Sequence, residues 1–209
     1  MAADEVNRYA GSMTEPLLKR SPELMSRGDT ALLVVDVQEK LMPLIPQPET
    51  IIWNIRRLLD AARVLELFVA ATEQYPQGLG STVSPLANQL GKISEKTAFS
   101  CTRVAGLMRS FSVQEIEKIL IVGIETHVCI AQTALDLLAA GLGVYVAADA
   151  VGSRSPFDRD IALRRMETAG AVVTTTEAVL FEWCEIAGTP EFKLISQLVR
   201  EADPGAKSP

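Results

Sequence analysis

The feature that most constrains this chain is the run TALLVVDV at residues 30–37, in which an acidic residue follows a stretch of leucine and β-branched side chains. A strand that is apolar on both faces is typical of a parallel sheet covered by helices above and below. A proline-rich loop follows the run. Beyond it, apolar side chains recur every three or four positions from Ile51 to Leu65, which predicts a helix beginning near Glu49.

The same order of apolar run and helical pattern repeats along the chain. Further strands are predicted at 67–72, 92–99, 118–124, 143–149 and 171–175. Further helices are predicted at 102–117, 127–140, 158–169, from Glu177 onward, and within the last 18 residues. The segment 73–85, rich in proline and glycine, is predicted to be a long loop. Because strands that alternate with helices form βαβ units, we predict an α/β fold of three α-β-α layers. Its sheet is mostly parallel and Rossmann-like, with about six strands and helices on both faces.

A length of 209 residues favours a single domain. Residues 1–28 carry scattered prolines, serines and charges, which predicts an extended N-terminal arm. The domain is expected to cover residues 29–200, and residues 201–209 are expected to form a flexible tail.

Charge and cysteine usage narrow the possible partners. The formal net charge is −6, which provides no basic surface for a polyphosphate backbone, so no nucleic acid is expected. No apolar run approaches the roughly 20 residues that cross a bilayer, so no membrane partner is expected. Three widely spaced cysteines form no CxxC pair, which favours a reducing, cytoplasmic location. Acidic residues among the first 30 disfavour a mitochondrial presequence but leave that location open. His127 is the only histidine, so a His-rich zinc site is impossible, and neither metal nor cofactor is predicted.

Cys129 ends the segment VGIETHVC (122–129), where an apolar run changes into a helical pattern. Thr126 is a candidate N-cap, which would place Cys129 in the first helical turn, near the positive end of the helix dipole. That environment favours the thiolate, the nucleophilic form of cysteine. The alternative is a small buried thiol packed against the sheet, and position alone leaves both interpretations open.

Two charged residues are expected at the same edge of the sheet, because sites in parallel sheets lie at the carboxyl ends of the strands. Asp36 follows the first strand, where it would act as a general base or cap a loop or helix. Lys96 could end the third strand, where its ammonium would stabilise a thiolate and orient Asp36. The alternative for Lys96 is a solvated surface side chain.

The segments LLVVDVQ, KTAFS and VGIETHVC together resemble, in order and spacing, the isochorismatase-like (cysteine hydrolase) family. The resemblance extends through QTALDLLAAG, VAADAVGSRS and RDIALRRMETAGAVVTTTEAVLFEW, and so covers nearly everything from residue 30 to residue 200. The segment TEQYPQGLG is most similar to the branch of isochorismatase domain-containing proteins.

This resemblance implies a triad in which Cys129 is the nucleophile, Asp36 takes its proton and Lys96 is the third member. The implied chemistry is attack on an amide-type carbonyl, release of ammonia or an amine, and hydrolysis of a thioester. The resemblance also implies a cis peptide bond between Ile124 and Glu125. The backbone N–H groups of Glu125 and Cys129 would then form an oxyanion hole.

The chain departs from the metal-dependent nicotinamidases that it resembles, because the loop TEQYPQGLGST contains no histidine or aspartate. We therefore expect a metal-independent cysteine hydrolase that acts on a small amide, carbamate or similar carbonyl substrate. Three side chains are candidates for lining its pocket: Gln38, Tyr75 and Phe99. His127 lies two residues before Cys129 and would point to a different side of the helix, so the base role goes to Asp36.

Two other functions stay open: a catalytically idle binding module that works as an oligomer, and a ribonuclease-type role. The presence of Asp36, Lys96 and Cys129 at strand ends argues against an idle protein. A single histidine and a net charge of −6 argue against RNA hydrolysis. The resemblance implies a homo-oligomer, and Leu180, Phe181 and Trp183 form an apolar cluster that one domain need not cover completely.

Overall fold

A sheet of parallel strands forms the centre of the fold. The computed structural model describes residues 19–205, so the first 18 residues of the predicted arm and residues 206–209 of the predicted tail lie outside it. The strands are β1 (Thr30–Val35), β2 (Phe68–Gln74), β3 (Ile93–Lys96), β4 (Lys118–Ile124), β5 (Gly143–Gly152) and β6 (Val172–Thr174). Their order across the sheet is β3-β2-β1-β4-β5-β6, and every pairing is parallel. The predicted α/β fold is confirmed.

Helices connect the strands on both faces. Within the described residues they are α1 (Pro48–Leu65), α2 (Pro76–Leu79), α3 (Ser84–Ala87), α4 (Leu107–Val113), α5 (Ala131–Ala139), α6 (Pro156–Thr168), α7 (Thr176–Cys184) and α8 (Pro190–Val199). Two 3-10 turns lie at Met42–Leu44 and Cys101–Arg103, and a π-helical turn lies at Thr126–Ile130.

Some predicted boundaries differ from the structure. The helix predicted over 102–117 is wrong in length, because Gly106 takes a positive φ of 82° and α4 begins only after it. The predicted loop 73–85 contains the end of β2, the one-turn helix α2 and the first two residues of α3, and both helices have a proline in the first turn. β5 continues to Gly152, beyond its predicted end at residue 149.

Each face of the sheet packs against its own set of helices. Along β1, Leu32 and Val34 join the core formed with α1, α7 and α8. Ala31, Leu33 and Val35 join the core formed with α4, α5 and α6. Successive side chains of a strand point to opposite faces, so a strand buried on both faces needs the continuous apolar run seen here.

The strand order changes direction between β1 and β4, and Gly123 lets these two strands lie close together. Gly123 has a φ of 116°, and a Cβ atom on it would lie only 2.1 Å from the Val35 carbonyl oxygen. Val35 precedes Asp36 directly, so this backbone contact fixes where the β1 carboxyl end lies relative to β4.

Gly123→Ala should therefore lower the free energy of unfolding by about 3 kcal/mol, because it combines backbone strain with a steric clash. Urea denaturation measured by circular dichroism tests this. Gly91→Ala is the matched control, since a Cβ atom there would meet nothing within 4 Å. Equal midpoints for the two variants would contradict the predicted role of Gly123.

The segment before β1 packs against the domain where it is described. The Met25 side chain is fully buried, and its backbone N–H donates to Glu182 Oε2 at 2.9 Å. The Tyr145 hydroxyl donates to the Glu23 carbonyl oxygen at 2.6 Å. These contacts attach residues 23–25 to α7 and β5.

The apolar cluster considered for oligomer contacts is mostly internal. Leu180 and Trp183 are fully buried, whereas Phe181 is 44% exposed. The first two side chains therefore belong to the core of this chain and give no support for a partner, so the homo-oligomer stays a prediction. In the part of the chain that the structure describes, no helix combines the length and apolar character needed to span a membrane.

Candidate active site

The candidate site lies at the carboxyl ends of four neighbouring strands. Asp36 follows β1, Gln74 and Lys96 are the last residues of β2 and β3, and Cys129 lies in the π-helical turn after β4. The direction of the strand order changes between β1 and β4, which is where parallel α/β sheets form ligand-binding crevices. The three side chains singled out from the sequence, Asp36, Lys96 and Cys129, come together at this point.

Asp36 and Lys96 form a buried ion pair. Lys96 Nζ lies 2.7 Å from Asp36 Oδ2, and the two side chains are only 2% and 1% exposed respectively. Thr72 Oγ1 donates to the other carboxylate oxygen, Asp36 Oδ1, at 2.8 Å. Asp36 also has a positive φ of 52°, and its N–H donates to the Thr72 carbonyl oxygen. Burying an ion pair is costly unless its remaining groups are hydrogen-bonded, and here the carboxylate is held on both oxygens.

The Lys96 ammonium has a full set of acceptors. Besides Asp36, Gln74 Oε1 lies 2.6 Å from Nζ and the Phe99 carbonyl oxygen lies 3.0 Å from it. An ammonium has three protons to donate, so these acceptors match its capacity. Cys129 Sγ is a fourth acceptor, at the longer N···S distance of 3.5 Å from Nζ, so the four acceptors share the three protons.

Burial and charge together favour a neutral thiol at Cys129 in the resting protein. Burial raises the pKa of Cys129, the Asp36 carboxylate raises it further, and Lys96 offsets only part of this increase. Burial alone would lower the pKa of Lys96, but Asp36 and Cys129 raise it overall, so the ammonium stays charged. Burial and the neighbouring carboxylate therefore act against the thiolate that the helix position favours, and they support a neutral thiol whose proton Asp36 takes.

The turn that carries Cys129 differs from the predicted helix start. Thr126 is not the N-cap: Glu125 occupies that position and makes no side-chain capping bond, and residues 126–130 are π-helical. The buried Thr126 hydroxyl has no hydrogen-bond partner within residues 19–205. The peptide bond between Ile124 and Glu125 is cis.

The residues around this turn make contacts outside the triad. Glu125 pairs with Arg154, whose Nε lies 2.9 Å from Glu125 Oε1. His127 Nδ1 lies 3.0 Å from Ser153 Oγ, so the single histidine contacts a serine at the end of β5. Cys101 is fully buried and its N–H donates to Thr133 Oγ1, which fits a structural thiol.

The three predicted pocket residues have different environments. Gln38 is fully buried, and its amide is hydrogen-bonded to the backbone of Gln74 and to the Gly80 carbonyl oxygen. This geometry does not fit the predicted substrate contact, since every polar atom of the Gln38 side chain is already bonded within the chain. Tyr75 and Phe99 are 55% and 51% exposed, and a cavity of about 380 Å³ is bordered by Tyr75 and Lys96.

Sequence reasoning missed two polar side chains of the site, Thr72 and Gln74. Both lie at the carboxyl end of β2, two positions apart, and therefore on the same side of the strand. Two polar residues at alternate positions after the apolar run LFVAA are the signal that could have identified them.

The chain is similar to known proteins over most of its length. The family model of the isochorismatase domain matches residues 30–178. Isochorismatase domain-containing protein 2 of Danio rerio is 40% identical over 180 residues, which are 86% of this chain and 91% of that protein. The structure of MAR1 ribonuclease from Caenorhabditis elegans superposes with a TM-score of 0.80 at 40% identity, covering 87% of this chain and 94% of the other. The structure of YcaC from Pseudomonas aeruginosa, with hexane-2,5-diol and covalent acrylamide, gives a TM-score of 0.78 at 26% identity, covering 86% and 93% of the two chains.

Proposed function

This chain belongs to the isochorismatase family, and from that premise we propose that it is a metal-independent cysteine hydrolase acting on a small amide, carbamate or similar carbonyl compound. The observation that carries the proposal is the buried group in which Lys96 Nζ lies 2.7 Å from Asp36 and 3.5 Å from Cys129. A nucleophile, a base and a group that orients the base are the parts that covalent acyl transfer requires. The covalent acrylamide in the Pseudomonas aeruginosa relative supports a reactive nucleophile in this family.

In the first step of the proposed reaction, Cys129 attacks the carbonyl carbon of the substrate. Because its thiol is neutral at rest, Asp36 takes the Sγ proton while the carbon–sulfur bond forms and the carbonyl electron pair moves to oxygen. Lys96 keeps its proton and its charge, and it holds the Asp36 carboxylate toward the sulfur. The N–H groups of Glu125 and Cys129 are the proposed donors to the oxyanion, each worth about 3 kcal/mol in the transition state.

The tetrahedral intermediate then collapses and the carbon–nitrogen bond breaks. Asp36 returns its proton to the leaving nitrogen, which departs as ammonia or an amine, and a thioester remains on Cys129. Water attacks the thioester while Asp36 takes one of its protons. The carbon–sulfur bond breaks, the sulfur recovers that proton, and the acid product leaves with the resting site restored.

The cavity beside Lys96 supports a small substrate. Its volume of about 380 Å³ lies at the lower end of the range typical of ligand pockets, about 300–1,000 Å³. We propose that the exposed Tyr75 side chain forms part of its wall; Phe99, the other exposed candidate, is not among the residues that line this cavity. In an assay of ammonia release, Tyr75→Ala should raise KM more than it lowers kcat. An unchanged KM would show that Tyr75 does not contact the substrate.

A panel of small primary amides and carbamates, with ammonia release as the readout, tests the proposed function. At least one compound should release ammonia, and acid-quenched samples should show the mass of the protein increased by the acyl group. The added mass should map to the peptide that contains Cys129. Ammonia release that persists unchanged in Cys129→Ala would contradict the mechanism.

A ribonuclease-type role is the second candidate, because the Caenorhabditis elegans relative at 40% identity carries that name. The chain has a net charge of −6, and its single histidine is paired with Ser153 rather than with the triad. Neither feature suits the binding and cleavage of a polyphosphate chain. A fluorogenic RNA added to the panel distinguishes the roles, since cleavage lost in Cys129→Ala would favour the ribonuclease.

An idle binding module is the third candidate. It predicts that compounds of the panel raise the melting temperature of the protein without being hydrolysed. If the protein is a hydrolase, the wild-type chain should turn these compounds over. The Cys129→Ala variant should then show a raised melting temperature in their presence without turnover.

A further inference from the structure

Gln74 joins the groups of the candidate site, although the mechanism above gives it no part. Its Cα is paired with that of Lys96 in the register between β2 and β3, so the two side chains start from adjacent positions. Gln74 Oε1 accepts from Lys96 Nζ at 2.6 Å and lies 3.9 Å from Cys129 Sγ. Gln74 Nε2 donates to the Thr97 carbonyl oxygen at 2.8 Å, which fixes the oxygen toward Lys96.

The backbone of Gln74 is held in place by Gln38. The Gln74 N–H donates to Gln38 Oε1 at 2.8 Å, and Gln38 Nε2 donates back to the Gln74 carbonyl oxygen at 3.0 Å. Gln38 Nε2 also donates to the Gly80 carbonyl oxygen at 2.7 Å. Because Gln38 is fully buried, this pairing leaves the main chain of Gln74 little freedom.

Gln74 competes with Cys129 for the Lys96 ammonium. The three oxygen acceptors of Lys96 Nζ lie at 2.6 to 3.0 Å, whereas Cys129 Sγ lies at 3.5 Å. Since an ammonium has three protons, these three oxygens and the Cys129 sulfur must share them, and each oxygen reduces what the sulfur receives. Removing the Gln74 oxygen would free one N–H for the sulfur.

We propose that Gln74 is a positioning residue that holds the Lys96 ammonium mainly on Asp36 and limits the hydrogen bond that the ammonium donates to Cys129. This inference rests on the proposed hydrolase function and names a residue that sets its efficiency. A Lys96 hydrogen bond that moves from Asp36 to the sulfur raises the thiolate fraction of Cys129 but lets the carboxylate turn away from the thiol proton. Keeping the ammonium on Asp36 leaves the carboxylate aligned to take that proton and return it during turnover.

Two substitutions at Gln74 should change the reactivity of Cys129 in opposite directions. In Gln74→Leu, the freed N–H of Lys96 turns to the sulfur and lowers the pKa of Cys129, so alkylation by iodoacetamide at pH 7.5 should be faster. In Gln74→Glu, a new carboxylate near the sulfur raises the pKa of Cys129, so alkylation should be slower. A change of one unit in that pKa corresponds to about a tenfold change in the thiolate fraction.

The measurement is the rate of Cys129 alkylation against pH, read from the modified peptide by mass spectrometry. Gln114→Leu is the matched control, because Gln114 is exposed at the end of α4, before β4 begins, and should match the wild type. In a substrate assay, both Gln74 variants should lower kcat about tenfold or more and change KM little, the pattern of a lost transition-state interaction.

Opposite shifts in the alkylation profile support the proposal, because a site that is merely loosened would shift in the same direction in both variants. Profiles that match the wild type, or that move together, overturn it. If Gln74→Leu does not fold, Gln74→Met takes its place, because it also removes the oxygen that Lys96 binds and must likewise speed alkylation at an unchanged melting temperature. Alkylation needs no substrate, so the two proposals can fail separately. Opposite shifts of the alkylation profile with no hydrolysis of any compound would refute the hydrolase function alone. Hydrolysis with no such shifts would refute the positioning role of Gln74 alone.

Discussion

Cys129→Ala should lower kcat/KM for every hydrolysed compound by at least about 10⁴-fold, because removing the nucleophile of a covalent mechanism leaves only binding and oxyanion stabilisation. The melting temperature should change little, since the substitution removes one buried sulfur atom and leaves the Asp36–Lys96 ion pair intact. The comparison should be made under single-turnover conditions, with ammonia release and the acyl-enzyme mass followed together.

The other two cysteines provide the controls for this experiment. Cys184 is only partly buried and lies at the end of α7, so Cys184→Ala should retain the wild-type rate. Cys101 is fully buried next to Thr72, so Cys101→Ala should cost stability rather than chemistry. If Cys129→Ala kept more than about a hundredth of the wild-type activity, a water-based mechanism would replace the thioester route.

The fold was predictable because burial on both faces leaves a simple pattern in the sequence. The strands other than β3, which reads ISEK, carry apolar runs, and the end of the first run located Asp36. The prediction of one helix over 102–117 is wrong because the apolar pattern continues through Gly106. The positive φ of Gly106 is not helical, so the helix begins only after this residue. A local pattern does not report such a break unless the backbone conformation of the glycine is known.

The candidate site was predictable in its residues but not in its electrostatics. Asp36, Lys96 and Cys129 were singled out because they lie at predicted strand ends, and the resemblance to the cysteine hydrolases implied their roles. The role of Gln74 depends on the register that pairs it with Lys96, and single-sequence patterns do not specify a register. The raised pKa of Cys129 depends on burial and on a carboxylate far away in the sequence, and neither can be read from the position of the cysteine in a helix.

Asp36→Asn should separate two properties of Cys129 that usually change together. Turnover should fall by about 10³-fold, within the range for loss of a general base, because no group remains to take and return the proton. Alkylation of Cys129 at pH 7.5 should become faster than in the wild type. Burial and then the Asp36 carboxylate raise the pKa of Cys129, while Lys96 lowers it. Without the carboxylate, the lowering effect of Lys96 is less opposed, the pKa falls, and more thiolate is present at neutral pH.

The pH dependence of alkylation shows in which direction the pKa of Cys129 changes. In the wild type, alkylation should still be rising with pH above the usual range for cysteine, whereas in Asp36→Asn the rise should move to lower pH. Asp149→Asn is the matched control, because Asp149 lies on β5 and its carboxylate accepts from the Thr176 N–H and hydroxyl at the start of α7. It should leave the alkylation profile unchanged.

A variant that reacts faster with iodoacetamide but hydrolyses amides far more slowly would show that Asp36 acts by moving a proton rather than by creating a resting thiolate. Slower alkylation together with slower turnover would mean the reverse, that the carboxylate maintains the nucleophile in its ionised form. The Asp36→Asn variant leaves the buried Lys96 ammonium without its carboxylate, so its stability must be checked. Both rates should therefore be measured at a temperature well below its melting transition, where the population of unfolded, freely alkylated protein does not imitate the predicted increase.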